Sequence, residues 1–329
     1  MTDATMTNGA VTSMKEWRVL KGALFSCILC LLVPARAQNR TEPEIRQRLL
    51  QELESGEFRD AVLLGEQAVV RWPRDAQFRH YLGIAYFKSG DLKRAQEQLM
   101  GARDLNPEDS KTHFDLALVL LSEQDYTSAA DELEATIKLS RSNPNSNALA
   151  HVLLGRAYLN SNRTLQAIDE FKTALKLDPA LKLGHYHLGF AYSSLGRNEQ
   201  AIGEYTEELR QSGESPAVEY ELGRSLLETG KYETAVTYLR RATELDGQNS
   251  DAWYNLGKAQ ALAGQAAQAE SSLRKAAEMN PKDPSPHYQL ARVLEKLGKA
   301  EQARDERQRF AELKKARPAS AGMATGRDQ

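Results

Sequence analysis

A single period runs through almost the whole of this chain. A leucine followed by glycine or alanine stands at 82–83, 116–117, 154–155, 188–189, 222–223, 256–257 and 290–291, a spacing of 34 interrupted once by a spacing of 38. Twelve residues beyond the small member of each pair comes an alanine: Ala95, Ala129, Ala167, Ala201, Ala235, Ala269 and Ala303, with Ala61 one period earlier. Self-similarity at such a period marks a stacked array of small units rather than one globular core.

Within each period, apolar residues at helical spacing fill two segments. A glycine-containing break such as Ser89-Gly90-Asp91 or Thr229-Gly230-Lys231 separates them. Each unit therefore predicts a helix hairpin. The small residue in each helix lets the two backbones approach where they cross. Trp-Pro, Asn-Pro or Asp-Pro steps at Pro73, Pro107, Pro179 and Pro281 stop the second helix and set the turn into the next unit. One hairpin cannot bury its own apolar face, so the units must stack into a solenoid held by nearest-neighbour contacts. The composition, 27% charged and 7% aromatic, agrees with long helices rather than a sheet.

Eight units fit: 42–75, 76–109, 110–143, 148–181, 182–215, 216–249, 250–283 and 284–317, with residues 144–147 as the one insertion. The first departs most, with Arg48 and Leu49 where leucine and glycine are expected. The fifth carries Gly203 and Glu208 within its second helix and has no proline at its end, which predicts a looser packing step there. The last ends in the charged run Glu301 to Arg309, as a solvated terminal cap should. Residues 38–41 are a short leader, and the tail 318–329, rich in Ala, Gly and Ser, is expected to be disordered. Between leader and tail the repeats leave no room for a separate catalytic domain.

These units resemble the tetratricopeptide repeat. The unit from Ala148 supplies Leu154, Gly155, Tyr158, Ala167, Phe171, Ala174 and Pro179 at the positions that family favours, and Trp253-Tyr254-Asn255-Leu256-Gly257 matches its first helix almost letter for letter. The resemblance implies an all-α, right-handed α-solenoid of stacked hairpins. It further implies that positions 2, 5, 9, 12 and 13 of each first helix line a concave partner-binding groove. In the N-terminal half these positions are apolar: Ile84, Phe87, Phe114, Leu118, Leu121, Val152 and Leu159. In the C-terminal half position 5 becomes Tyr186, Tyr220, Tyr254 and Tyr288, and position 9 becomes Arg224, Lys258 and Arg292. Tyrosine at position 5 also serves packing, and Arg224 and Arg292 have Glu228 and Glu295 within one helical turn as pairing partners. The lysine and asparagine clamp by which some family members grip a C-terminal carboxylate is not matched at positions 5 and 9.

The chemistry of sites offers little else. No nucleophile elbow, phosphate-cradling glycine loop or zinc-protease signature occurs after residue 37. All six histidines fall inside repeats, with His113, His151, His185 and His287 at position 4, where a bulky ring packs between helices. His185 and His187 are two apart on a helix and face different ways, so they do not converge on a metal. The expectation is no catalytic residue, no cofactor and no metal. A net charge of −2 argues against binding nucleic acid wholesale.

The first 37 residues read as a secretory signal: Lys15, Arg18 and Lys21 precede an apolar run from Gly22 to Val33, followed by Pro34 and Ala35-Arg36-Ala37. Met14 heads a tidier signal than Met1 does. The run is too short to span a bilayer as a helix, which takes about 20 residues, although an uncleaved anchor is the alternative. Cys27 and Cys30 lie inside the run, outside any folded redox context. Cys27 also comes too early in the run for a lipid-attachment site.

These observations predict an exported, non-catalytic scaffold of the periplasm or exterior that holds a protein or peptide segment, acidic in character, in its groove. The alternative is a non-catalytic assembly or regulatory subunit of an envelope enzyme or secretion complex, docked through other faces. A second copy of the chain is also a candidate occupant, because the apolar positions Phe87, Phe114, Leu118 and Leu121 would otherwise be uncovered. Export predicts that N-terminal sequencing of the mature protein begins at Gln38, with an intact N-terminus as the contrary result.

Overall fold

The computed structural model describes residues 41–140 and 147–316. The predicted signal 1–37, all but the last residue of the leader, insertion residues 144–146 and the tail lie outside them. The described residues form helices and turns with no strand. The helices are α1 (Glu42–Ser55), α2 (Phe58–Arg71), α3 (Ala76–Ser89), α4 (Leu92–Leu105), α5 (Ser110–Ser122), α6 (Tyr126–Leu139), α7 (Ala148–Asn160) and α8 (Thr164–Leu177). They continue as α9 (Gly184–Ser194), α10 (Asn198–Ser212), α11 (Pro216–Glu228), α12 (Tyr232–Leu245), α13 (Ser250–Leu262), α14 (Ala266–Met279), α15 (Ser285–Lys296) and α16 (Ala300–Ala316). The chain divides into two compact units, Met1–Leu105 with α1–α4 and Asn106–Gln329 with α5–α16. In each, consecutive helices pair as hairpins and each hairpin packs on the next. This is an α-solenoid architecture.

The turn inside every hairpin has one geometry. Position 15 adopts a left-handed backbone in all eight units: Gly56, Gly90, Gly196, Gly230, Gly264 and Gly298, with Gln124 and Asn162 in the third and fourth. Glycine pays no steric cost there, whereas a side chain does. At the other end of the unit, α2, α4, α8 and α14 each stop two residues before a proline (Pro73, Pro107, Pro179, Pro281), as its steric demands on the preceding residue require.

The hairpins close on a size match. A Cβ built on Gly83, Gly223 or Gly257 would lie 2.6 Å from the Cγ of Leu99, Leu239 or Leu273 respectively. On Gly155 it would lie 2.6 Å from the Phe171 ring, and on Gly189 2.8 Å from the Tyr205 ring. In each case the glycine is at position 8 and the large residue at position 24 of the same hairpin. The first unit reverses the sizes: Leu49 at position 8 is fully buried, and Gly65 stands at position 24, pressed against Leu82. Its first helix forms despite the departure from the pattern.

A polar clamp recurs beside this contact. His113, His151, His185 and His287 at position 4 place Nδ1 2.5, 2.6, 2.7 and 2.6 Å from Oε2 of Glu132, Glu170, Glu204 and Glu306, nineteen residues on in the second helix. These rings are thus tied across the hairpin as well as packed. His187, by contrast, stacks on Phe171 with ring centroids 5.6 Å apart, and burial pulls its pKa down to about 4, so it stays neutral.

The fifth unit corrects one expectation. It is not a loose step, because a single core runs from Ala117 to Ala259 through Leu188, Ala201 and Tyr205. Glu208 is buried, and its carboxylate accepts from the backbone N–H of Leu183 and Tyr186 at 3.0 and 3.2 Å, capping the start of α9. Leu183 itself is left-handed, with φ 63°, and α9 begins two residues into the unit. Gly203 faces open space, with no atom within 4 Å of an added Cβ.

Two substitutions to the same residue should therefore move stability in opposite directions. Gly203→Ala should stabilise by about 0.5–1 kcal/mol through helix propensity alone. Gly155→Ala should destabilise by about 1–3 kcal/mol, because the Phe171 ring has to move. Chemical denaturation of both variants checks this, and equal shifts would contradict it.

Candidate functional site

In the unit Asn106–Gln329 the first helices touch one another directly, α7 to α9, α9 to α11, α11 to α13 and α13 to α15. Residues recurring once per repeat on these helices therefore form rows on one continuous face. On α5, Phe114, Leu118 and Leu121 are half-buried and pack against the core, so they are less exposed than an open apolar patch would be. Val152 is buried and Leu159 half-buried. Ile84 and Phe87 lie on α3 in the other unit, both half-buried, with Lys88 Nζ 5.8 Å from the Phe87 ring centre.

Tyr186, Tyr220 and Tyr254 follow, half-buried, and Tyr288 is 47% exposed. The Tyr186 ring lies 6.0 Å from that of Tyr205 and 6.4 Å from that of Phe190. Asn255 Nδ2 donates to Tyr220 Oη at 3.3 Å, linking consecutive repeats. Burial raises the hydroxyl pKa of both Tyr186 and Tyr220, so each presents a neutral O–H.

The three cations of the row differ in how they are balanced. Arg224 pairs with Glu221 one turn back, at 3.0 Å, rather than with Glu228 one turn on. Its guanidinium also reaches Ser193 Oγ of the preceding repeat at 3.5 Å and lies 5.9 Å from the Tyr220 ring centre. Glu228 is instead taken by Lys258, 3.5 Å away in the next repeat. Glu295 is taken by Arg307 of α16. Arg292 is left over the Tyr288 ring at 5.8 Å, with no carboxylate partner among the described residues.

Beneath Arg224 lies a buried polar cluster that the sequence does not announce. Glu221 is buried; burial of Tyr205, seconded by the Glu221 charge, holds the Tyr205 hydroxyl far above the ordinary tyrosine range. Tyr205 Oη and Ser225 Oγ find no hydrogen-bond partner among the described residues. On the opposite side of α11, Glu219 is fully buried where other repeats carry the clamping histidine, and its nearest cation is Arg241 at 3.7 Å. Burial raises its carboxyl pKa. The one signal in the sequence for these two buried carboxylates is a pair of glutamates, at positions 4 and 6 of the sixth unit.

The balance of charge predicts unequal responses to reversal. Arg224→Glu would replace the cation beside buried Glu221 with a second carboxylate and should cost about 3 kcal/mol of stability. Arg292→Glu breaks no ion pair and should stay within about 0.5 kcal/mol of the parent protein. Thermal and denaturant unfolding of the two variants distinguishes them.

Comparison with known families and structures accords with this geometry. A profile described as tetratricopeptide repeat matches residues 50–95, 82–146 and 220–284, a second, TPR repeat, matches 155–196, and a third, tetratricopeptide repeat, matches 260–309. Comparison with curated proteins finds no match. Among solved structures the chain is similar to YrrB, described as a TPR protein with an unusual peptide-binding site, at 21% identity and a TM-score of 0.51, covering 56% of this chain and 93% of that one. It is similar to MamA from Desulfovibrio magneticus RS-1 at 19% identity and a TM-score of 0.50, covering 52% and 97%. It also resembles the Cut9–Hcn1 hetero-tetramer of the APC/C at 16% identity and a TM-score of 0.54, covering 79% and 50%. At these identities the likeness establishes the fold alone.

Proposed function

The chain belongs to the tetratricopeptide repeat family, and from that premise we propose that it is an exported, non-catalytic scaffold that holds an acidic peptide segment of a partner protein on its first-helix face. The observation that carries this reading is the continuous face of α9, α11, α13 and α15, with one tyrosine per repeat at Tyr186, Tyr220, Tyr254 and Tyr288. Rigid aromatic surface with a polar tip suits peptide contact at low entropic cost. YrrB, similar in fold, is described as having a peptide-binding site. The repeat spacing suits an extended ligand more than a compact small molecule, since each repeat contributes one ring and several contribute one cation. Export rests on the N-terminal signal pattern. Among the described residues no helix is long and apolar enough to cross a membrane.

A second reading rests on α2, a second helix. Leu63 is 58% exposed and Val70 83% exposed, and their spacing of seven places them on one face. That face suits docking into a larger assembly, as a non-catalytic assembly or regulatory subunit of an envelope enzyme or secretion complex would.

Photo-cross-linking residues placed singly at Tyr220, Tyr254, Leu63 and Val70 separate the two. The groove reading expects partner adducts from the first two positions, competed by a soluble peptide from the partner. Adducts confined to Leu63 and Val70 would establish the second reading in its place.

A further inference from the structure

Between α13 and α15 the first-helix face holds a small concavity of about 80 Å³. Lys258, Arg292 and Lys296 all line it, together with the apolar Ala261, Leu262 and Val293. Resting on the groove reading above, we propose that these three cations form an anion-binding cup that anchors a carboxylate of the bound segment, and that this cup, rather than the whole row of basic residues, sets the preference for acidic ligands.

Three observations converge on it. First, the cup carries uncompensated charge. Arg292 and Lys296 stand four residues apart on α15, an arrangement of like charges that is unfavourable by itself, and neither has a carboxylate partner among the described residues. Glu295, on the same helix, is engaged by Arg307. Lys258 faces the same space from α13, with Glu228 as its counter-ion at 3.5 Å. Arg224, two repeats before Arg292 in the same row, is neutralised by buried Glu221 and cannot supply such a site.

Second, the size selects a single group. Pockets that hold whole small molecules begin at roughly 300 Å³, several times this volume, so the cup fits one small anionic group carried by a ligand that lies mainly outside it. Third, the wall is mixed. Three cations and the apolar Ala261, Leu262 and Val293 line the same concavity, which suits a carboxylate on an aliphatic stem better than a phosphate, which is polar on every side. Gln289 adds a neutral amide donor at the rim, and the exposed ring of Tyr288 lies one turn before Arg292 for the flanking residue of the ligand.

A purely structural role accounts for part of this arrangement. Lys296 is the last residue of α15, where a cation favours the helix dipole. That explains neither the convergence of Lys258 on the same concavity nor the position of Arg292 a turn earlier.

The test is fluorescence anisotropy with a short labelled peptide of alternating glutamate and leucine, its glutamine counterpart, and its C-terminally amidated form. The proteins are the full chain, the triple variant Lys258→Gln/Arg292→Gln/Lys296→Gln, and a charge-matched control in which the exposed second-helix cations Arg240, Lys275 and Arg309 become Gln. Circular dichroism confirms that all three are folded. The cup predicts that the glutamate peptide binds the parent about tenfold tighter than the glutamine peptide, as several exposed charge contacts acting together allow. The triple variant should lose that preference and flatten the salt dependence, while the control stays within about twofold. Loss of binding on amidation assigns the carboxylate to the peptide terminus; indifference to amidation assigns it to a side chain. Equal affinity of parent and triple variant for the glutamate peptide, or equal loss in the control, overturns the cup. That result leaves the groove reading intact, because the groove reading fails only if cross-links at Tyr220 and Tyr254 do not form.

Discussion

Every hairpin in this protein depends on how closely its two helices can approach, and that distance is set at one point, where position 8 of the first helix meets position 24 of the second. Five glycines accept a leucine, phenylalanine or tyrosine side chain where their own Cβ would stand. The third unit manages with Ala117 against Leu133, both fully buried, so the contact tolerates one methyl group when the neighbour can adjust. The first unit keeps the summed size but exchanges it, Leu49 for glycine and Gly65 for the large residue. The eighth pairs Ala291 with Arg307, and the partner there is a half-exposed side chain that swings out to Glu295. What is conserved through these variants is volume at a crossing, which close packing rewards.

The left-handed turn residue then fixes where the second helix goes. Because position 15 has the same backbone in every unit, each hairpin leaves its first helix on the same side, and residues one period apart fall into rows. The fifth unit shows how far the rule bends. Its first helix starts late, behind a left-handed Leu183 that costs conformational energy, and the buried Glu208 carboxylate repays that by accepting two backbone N–H groups. The row of tyrosines passes through this point unbroken, since Tyr186 is itself one of the residues so capped.

How much of this could be read in the sequence follows from range. The period, the hairpins, the turn glycines and the proline stops are local, and so were legible. The rows of Tyr186, Tyr220, Tyr254 and Tyr288 and of Arg224, Lys258 and Arg292 are local plus a period, and were legible as rows. The pairing within them was not. Arg224 has glutamates on both sides along its helix, and its pairing with Glu221 accompanies a contact to Ser193 from the repeat before, while Lys258 from the repeat after engages Glu228. Glu208 misled for the same reason: a glutamate inside a helix reads as a surface residue, and its backbone partners lie more than twenty residues earlier. The division after Leu105 has no local signal either, since the Asn106-Pro107 step looks like Asp178-Pro179, across which the core of the second unit continues.

These differences give the face a direction. A cation held by a buried carboxylate, as Arg224 is, contributes hydrogen-bond donors but little net charge, and removing it takes a counter-ion from that carboxylate. A cation lying over an exposed ring, as Arg292 does, contributes charge and costs the fold little when lost. Moving from α11 to α15 the face passes from internally balanced to unbalanced, while the aromatic row continues alongside. A ligand that is uniformly acidic gains nothing at the balanced end, where its carboxylates would compete with Glu221. A ligand acidic at one end and neutral at the other gains at both, and only in one orientation. The asymmetry of the ion pairs, more than the number of basic residues, is therefore what would let a repetitive surface distinguish the two ends of a bound segment.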